Sequence, residues 1–226
     1  MIMNSKKLIF SLLSLVLVLG SAGAAVADTS SDDAVIASQR FSYPLTTCVV
    51  SGEKFTAAAP AVSFVASGRL MRTCCGDCAG KVKASPARFI AKLDAAVKEQ
   101  QRPLYPFEKC VVSDEALGSM GDPVELVLNS RLVRLCCKGC VKTFMKSPEK
   151  FMAKVDAAMI AKQVESYPFK QCIVSDEALD AMGTPIDRLY GTTLVRMCCK
   201  GCIKAFEKAP EPFLAKINAA RAKKTR

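Results

Sequence analysis

The sequence predicts an α+β protein of three tandem small units, each with short β-strands followed by helices. The cysteines recur with a period of 62 residues, which is the signature of a repeat architecture. Within each period, strand-forming residues around a turn precede a cysteine cluster, and apolar residues at helical spacing follow it. We divide the chain into a leader at 1–27, a linker at 28–40, and repeats at 41–102, 103–164 and 165–226.

The N-terminus has the layout of a secretory signal peptide. Lys6 and Lys7 precede an apolar run at 8–19, and the small residues at 25–27 suit cleavage before Asp28. This run is shorter than the roughly 20 apolar residues that span a bilayer. No later segment is apolar enough to do so. We therefore expect a periplasmic or secreted protein with no membrane span after cleavage.

The segment 28–40 and the charge of the chain say less about structure and partners than the N-terminus says about export. The segment is polar, and we expect a disordered linker there. The formal net charge is +11, but the basic residues are spread over helices. An exported chain rarely meets nucleic acid, so we expect no nucleic-acid partner. Weak attraction to anionic surfaces and a protein partner both remain open.

Every one of the 12 cysteines belongs to the repeat, four to each copy, and the chain has no histidine. The first copy departs most from the others, with Asp77 in place of a glycine and Val82 in place of Phe144 and Phe206. Its thiols are nevertheless complete. The candidate metal ligands are Cys48, Cys74, Cys75 and Cys78, then Cys110, Cys136, Cys137 and Cys140, then Cys172, Cys198, Cys199 and Cys202.

The middle copy illustrates the predicted elements in order. Residues 110–112 form a short strand or knuckle, and two strands flank a turn at Asn129 and Ser130. One helix starts just after Cys137. A second starts at Ser147 and Pro148, with serine as its cap and proline at the first helical position. Phe144, Phe151 and Val155 are predicted core residues.

A metal site is the first interpretation of the thiols. Cys110 would meet the cysteines of a strand-to-helix junction. Cys140 lies on the first turn of a helix, where the helix dipole stabilises a thiolate, and Arg134 would act in the same direction. Thiolates without histidine select soft or borderline ions, such as Cu(I), Zn(II), Cd(II) or Hg(II).

Disulfides and redox catalysis are the alternatives. An oxidising compartment and an even cysteine count permit two disulfides per unit. One of these would join adjacent or nearly adjacent cysteines, which is geometrically poor. One disulfide with two free thiols is also possible. The C-x-x-C of Cys137 and Cys140 fits a thioredoxin-like site only in a βαβ context, which the sequence does not predict.

The stretch "RLVRLCCKGCVKTFMKSPEKF" resembles the TRASH/YHS group of heavy-metal-binding domains. The resemblance covers all three copies and implies a treble-clef-like fold with a role in metal trafficking, resistance or sensing. The family usually has three cysteines, whereas this chain adds Cys75, Cys137 and Cys199. With the fourth thiol a unit could form a Cys₄ site for Zn(II), whereas Cu(I) needs only two or three.

We therefore expect an exported, non-enzymatic protein that holds one Zn or Cu ion per repeat for sequestration, trafficking or tolerance. The alternative from another class is a structural or adaptor protein whose repeats are stapled by disulfides or structural zinc. A thiol oxidoreductase is the weaker third candidate.

Overall fold

The computed structural model describes residues 29–224, and the leader predicted at 1–27 lies outside them. A helix, α1 (Thr29–Gln39), precedes three units of the same design: a two-stranded hairpin followed by two helices. The α+β prediction is confirmed. The elements are β1 (Val62–Ala66), β2 (Arg69–Thr73), α2 (Gly76–Ala84) and α3 (Pro86–Gln101); β3 (Val124–Leu128), β4 (Arg131–Leu135), α4 (Lys138–Lys146) and α5 (Pro148–Val164); and β5 (Ile186–Tyr190), β6 (Thr193–Met197), α6 (Lys200–Lys208) and α7 (Pro210–Lys224).

Each hairpin is antiparallel and has a two-residue turn. In the middle unit Leu128 pairs with Arg131 around Asn129 and Ser130, as predicted. Both turn residues have positive φ, 48° and 59°, which suits a turn that matches the twist of the strands.

The helices of the middle unit close a small core over the hairpin. Phe144, Phe151 and Val155 are buried together with Leu132 and Leu135, as predicted. Pro148 begins α5 and Ser147 is its N-cap residue, as predicted, although the serine makes no side-chain capping hydrogen bond. The backbone leaves the helical conformation at Ser147, which separates α4 from α5, and the rings of Phe144 and Phe151 lie 5.9 Å apart across this break.

The segment predicted to be a disordered linker is helical from Thr29 onwards. Gln39 ends α1 and is only 1% exposed. Its Oε1 accepts a hydrogen bond from the N–H of Leu70 at 3.0 Å, and its Nε2 donates to the carbonyl of Gly68 at 2.9 Å. The polar composition of the segment suggested disorder. It gave no sign that the buried amide of Gln39 anchors the end of α1 to β2.

The same contact recurs at each unit. Gln101, at the end of α3, bonds the N–H of Leu132 at 2.9 Å and the carbonyl of Ser130 at 2.8 Å. Gln163 bonds Leu194 and Thr192 in the same way. We call Gln39, Gln101 and Gln163 the clamp glutamines. The helix that ends one unit therefore holds the hairpin of the next.

A tyrosine supports the same edge of each hairpin. The hydroxyls of Tyr43, Tyr105 and Tyr167 accept hydrogen bonds of 3.2–3.3 Å from the backbone N–H of Arg72, Arg134 and Arg196. A two-stranded sheet leaves such edge groups without a strand partner. The clamp glutamine and the tyrosine together take the place of a third strand.

The first and third units also touch. The ring of Phe41 lies 5.1 Å from that of Tyr190 in an edge-to-face arrangement. A Cβ on Gly191 would overlap the carbonyl oxygen of Phe41, so only glycine allows this approach. In residues 29–224 no helix is both long and apolar enough to cross a membrane.

Gln101→Ala tests the clamp. The substitution leaves the N–H of Leu132 without its partner, so we expect the free energy of unfolding to fall by about 1–3 kcal/mol. Chemical denaturation of the full chain measures it. Gln100→Ala is the matched control, because Gln100 is exposed and bonds the carbonyl of Pro44; it should change stability by less than about 0.5 kcal/mol. Equal effects of the two substitutions on stability would contradict a stabilising role for the Gln101 hydrogen bonds.

Gly191→Ala tests the contact between the outer units. Gly68→Ala is the control, because Gly68 has a similar φ, +70° against +65°, but open space where the Cβ would lie. Both variants carry the cost of a left-handed alanine, about 1–2 kcal/mol. Gly191→Ala should lose a further ~1–3 kcal/mol of unfolding free energy because it displaces Phe41. Equal losses would show that the contact contributes nothing.

Candidate metal centres

The structure brings three of the four cysteines in each unit together. Their Sγ atoms all lie within 4.8 Å of one another. We call these groups the triads: Cys48, Cys74 and Cys78; Cys110, Cys136 and Cys140; Cys172, Cys198 and Cys202. All twelve cysteines of the chain are free thiols. The Sγ atoms of Cys136 and Cys140 are 3.6 Å apart, well beyond the roughly 2.05 Å of a disulfide bond.

A tight turn positions the first cysteine of each triad. The N–H of Cys110 donates to the carbonyl of Glu115 at 2.7 Å, and its carbonyl accepts from Asp114 at 2.9 Å. Asp114 has a φ of 64°, a conformation that aspartate and glycine tolerate better than most residues. Gly52 and Asp176 occupy the equivalent positions. The predicted knuckle is thus a turn that aims the thiol into the core.

The other two thiols come from the strand-to-helix junction. Cys136 directly follows β4, Cys137 is the N-cap residue of α4, and Cys140 lies in the first turn of that helix. The chain passes from strand to helix within two residues, so Cys136 and Cys140 face the same point. In the middle and third units every triad cysteine is buried, at 9% exposure or less.

The knuckle cysteine of each triad has a lowered pKa. Burial raises the pKa of Cys110, but hydrogen bonds from the Ser113 hydroxyl and from backbone N–H groups, including that of Cys136, outweigh it and lower the pKa to about 6. The pKa values of Cys48 and Cys172 are lowered to about 6 by the same balance. A lowered pKa favours the thiolate of these three cysteines at neutral pH before any ion binds.

The helix cysteine behaves differently from our prediction. Burial, together with the neighbouring thiols, raises the pKa of Cys140 to about 12, so the predicted thiolate at this position is wrong for the metal-free protein. Arg134 does not assist it. Its guanidinium lies 3.3 Å from a carboxylate oxygen of Glu125 and over the ring of Tyr105.

The fourth cysteine of each unit lies beside its triad and closer to the surface. The Sγ of Cys199 is 3.6 Å from that of Cys202, and the Sγ of Cys75 is 3.8 Å from that of Cys74. Cys137 makes no capping hydrogen bond of normal geometry, yet its pKa is lowered, chiefly by the backbone N–H of Cys140. These N-cap cysteines contact the triads without joining the mutually close sets.

A serine beside each triad was missed by sequence reasoning. The hydroxyl of Ser113 lies 3.3 Å from the Sγ of Cys136, and it also supports the thiolate of Cys110. Ser51 and Ser175 hold the same place beside Cys74 and Cys198. The signal was available, because the three serines follow the 62-residue period.

The triads have dimensions that suit a metal ion. Zinc–sulfur bonds of about 2.3 Å in tetrahedral geometry place the sulfurs about 3.8 Å apart. The three strand-to-helix pairs of Sγ atoms are separated by 3.6–3.8 Å. Each triad could therefore hold one ion. The first triad is the most open, because Cys74 is only partly buried.

Ser113→Ala tests the electrostatics of the middle triad without any metal. The hydroxyl stabilises the thiolate, so its removal should raise the pKa of Cys110 towards the usual thiol value. Thiolate absorbance of the reduced protein, followed against pH, should lose about one thiol from the step near pH 6. Ser119→Ala is the control, because that exposed hydroxyl bonds only the carbonyl of Ala116. Superimposable curves for Ser113→Ala and the unaltered protein would refute the assignment.

No protein-family model matches the chain, no curated protein matches it, and no solved structure matches it. The cysteine geometry is therefore the main guide to what this protein binds.

Proposed function

We propose that this is an exported, non-enzymatic protein that binds soft metal ions, one Cu(I) or Zn(II) per unit, for sequestration, trafficking or tolerance. The observation that carries the proposal is the presence of three thiol triads, at equivalent positions of three units, with sulfur separations that suit one ion each. The resemblance to TRASH/YHS domains and the leader-like sequence at 1–27 support the role and the export.

The donor set favours soft ions. Each triad offers only sulfur, and no histidine exists in the chain to supply imidazole. Three thiolates satisfy Cu(I). Zn(II) takes four ligands, so it would need the N-cap cysteine or another group to complete its shell.

A structural role is the second candidate, and one observation favours it. Cys110, Cys136 and Cys140 belong to the core cluster of the middle unit, together with Leu135 and Phe144. Units of this size have little core, and a structural zinc ion commonly supplies the missing stability. In that case the ion would stabilise the fold, and the surface of the units would bind a partner protein.

Metal and thiol counts on the anaerobically purified mature protein test the proposal. We expect close to three equivalents of copper or zinc per chain. Cys140→Ser should lower the count by one, because it removes a ligand of the middle triad alone. Ser119→Ala provides a control in the same unit, since its exposed hydroxyl bonds the carbonyl of Ala116 and lies outside the triad. Absence of metal together with few free thiols would refute metal binding and favour disulfides.

Metal exchange then distinguishes the trafficking or sequestering role from the structural role. A trafficking or sequestering protein should exchange its bound metal for Cu(I) presented by a thiol carrier. Zinc that resists this exchange, and whose removal by a chelator unfolds the chain, would favour the structural role. Far-ultraviolet circular dichroism of the metal-free protein reports on the unfolding.

A further inference from the structure

The triads in the middle and third units are closed to solvent, which raises the question of how an ion reaches them. Their six cysteines are at most 9% exposed. The N-cap cysteines are the surface-facing thiols of the same sites: Cys75 is exposed, and Cys137 and Cys199 are partly exposed. An approaching ion therefore meets the N-cap sulfur before it meets the buried ones.

The N-cap sulfurs also lie close enough to the triad sulfurs for one ion to bind both at once. The Sγ of Cys199 lies 3.6 Å from that of Cys202, about the separation of two sulfurs on one zinc or copper ion. Cys75 lies 3.8 Å from Cys74. The ion can thus bind a triad sulfur before it leaves the N-cap sulfur.

Charge at these positions differs between the units. Lys138 and Lys142 lie one turn apart on α4, and Lys200 and Lys204 occupy the same positions on α6. All four are exposed, and Lys138 and Lys200 directly follow the N-cap cysteine of their unit. In the first unit these positions hold Gly76 and Gly80, and Asp77 lies between them. At these two helix positions the second and third units each carry two positive charges, whereas the first carries none.

We propose that Cys75, Cys137 and Cys199 are receiving ligands, which take a soft metal ion from a donor thiolate complex and pass it to the triad of their unit. This inference rests on the proposed function. The lysines beside Cys137 and Cys199 identify the preferred donor of those two units as a negatively charged complex, because opposite charges accelerate the encounter.

The transfer is a series of ligand exchanges. In the first, the ion forms a bond to the N-cap sulfur and loses one donor thiolate. In the following steps each triad sulfur forms one bond as another metal–sulfur bond breaks. The oxidation state of the metal does not change. Protons released from the triad thiols are taken up by the departing donor thiolates, so no oxidant or reductant is required.

The test compares the full chain with its Cys75→Ser/Cys137→Ser/Cys199→Ser variant. Serine is a preferred N-cap residue, so the helices should keep their starts. Cu(I) is presented as its anionic glutathione complex. We expect both proteins to bind three equivalents with affinities equal within about threefold, and the variant to take up copper at least tenfold more slowly in stopped-flow mixing.

Two results would overturn the inference while leaving the proposed function intact. Uptake at the same rate in both proteins would show that the N-cap thiols play no part. A large loss of affinity, with one sulfur fewer around copper in X-ray absorption spectra, would make them permanent ligands instead. If the unaltered protein binds no copper or zinc at all, the proposed function fails and the inference fails with it.

The charge of the donor is tested separately. Lys138→Gln/Lys142→Gln/Lys200→Gln/Lys204→Gln should slow uptake from the anionic complex severalfold at low salt, with the difference vanishing at high salt. The control, Lys98→Gln/Lys162→Gln, removes lysines from the last turns of α3 and α5. Equal rates for the two variants would overturn the assignment of an anionic donor.

Discussion

Each hairpin of this protein is held at both ends, and the geometry of the thiol triads depends on that restraint. At the turn, a clamp glutamine from the preceding helix bonds the backbone on both sides of the first residue of the second strand. At the other end, that strand runs directly into the cysteines of the triad. The strand therefore cannot shift its register without breaking the glutamine contacts or displacing the thiols.

The restraint also explains how units of 62 residues hold together. A two-stranded sheet is marginal in water, and here its open edge is occupied by a glutamine amide and a tyrosine hydroxyl. Because the glutamine belongs to the preceding helix, each unit is completed by its neighbour. The contact of Phe41 with Gly191 adds a direct link between the outer units.

The three copies differ in an ion pair between the hairpin and the long helix of the unit, and they agree in the knuckle that supplies the first triad cysteine. Arg131 pairs with Asp156 in the middle unit, as Arg69 does with Asp94 in the first, but Thr193 and Asn218 stand there in the third. The knuckle turn and its serine persist in all three. A turn that aims a sulfur at two others tolerates less variation than a single ion pair does.

The sequence by itself determined the three units, the hairpin turn, the helix starts and which cysteines could act together, because these depend on period, alternation and turn chemistry. The 62-residue period also relates Gln39 to Gln101 and Gln163, although the polar composition of 28–40 concealed α1. Only the tertiary structure decided that three cysteines of each four converge, that Cys110 rather than Cys140 is the acidic thiol, and that Arg134 pairs with Glu125. The reason is physical: convergence, burial and hydrogen bonding depend on groups that are distant in sequence, and spacing along the chain does not record them.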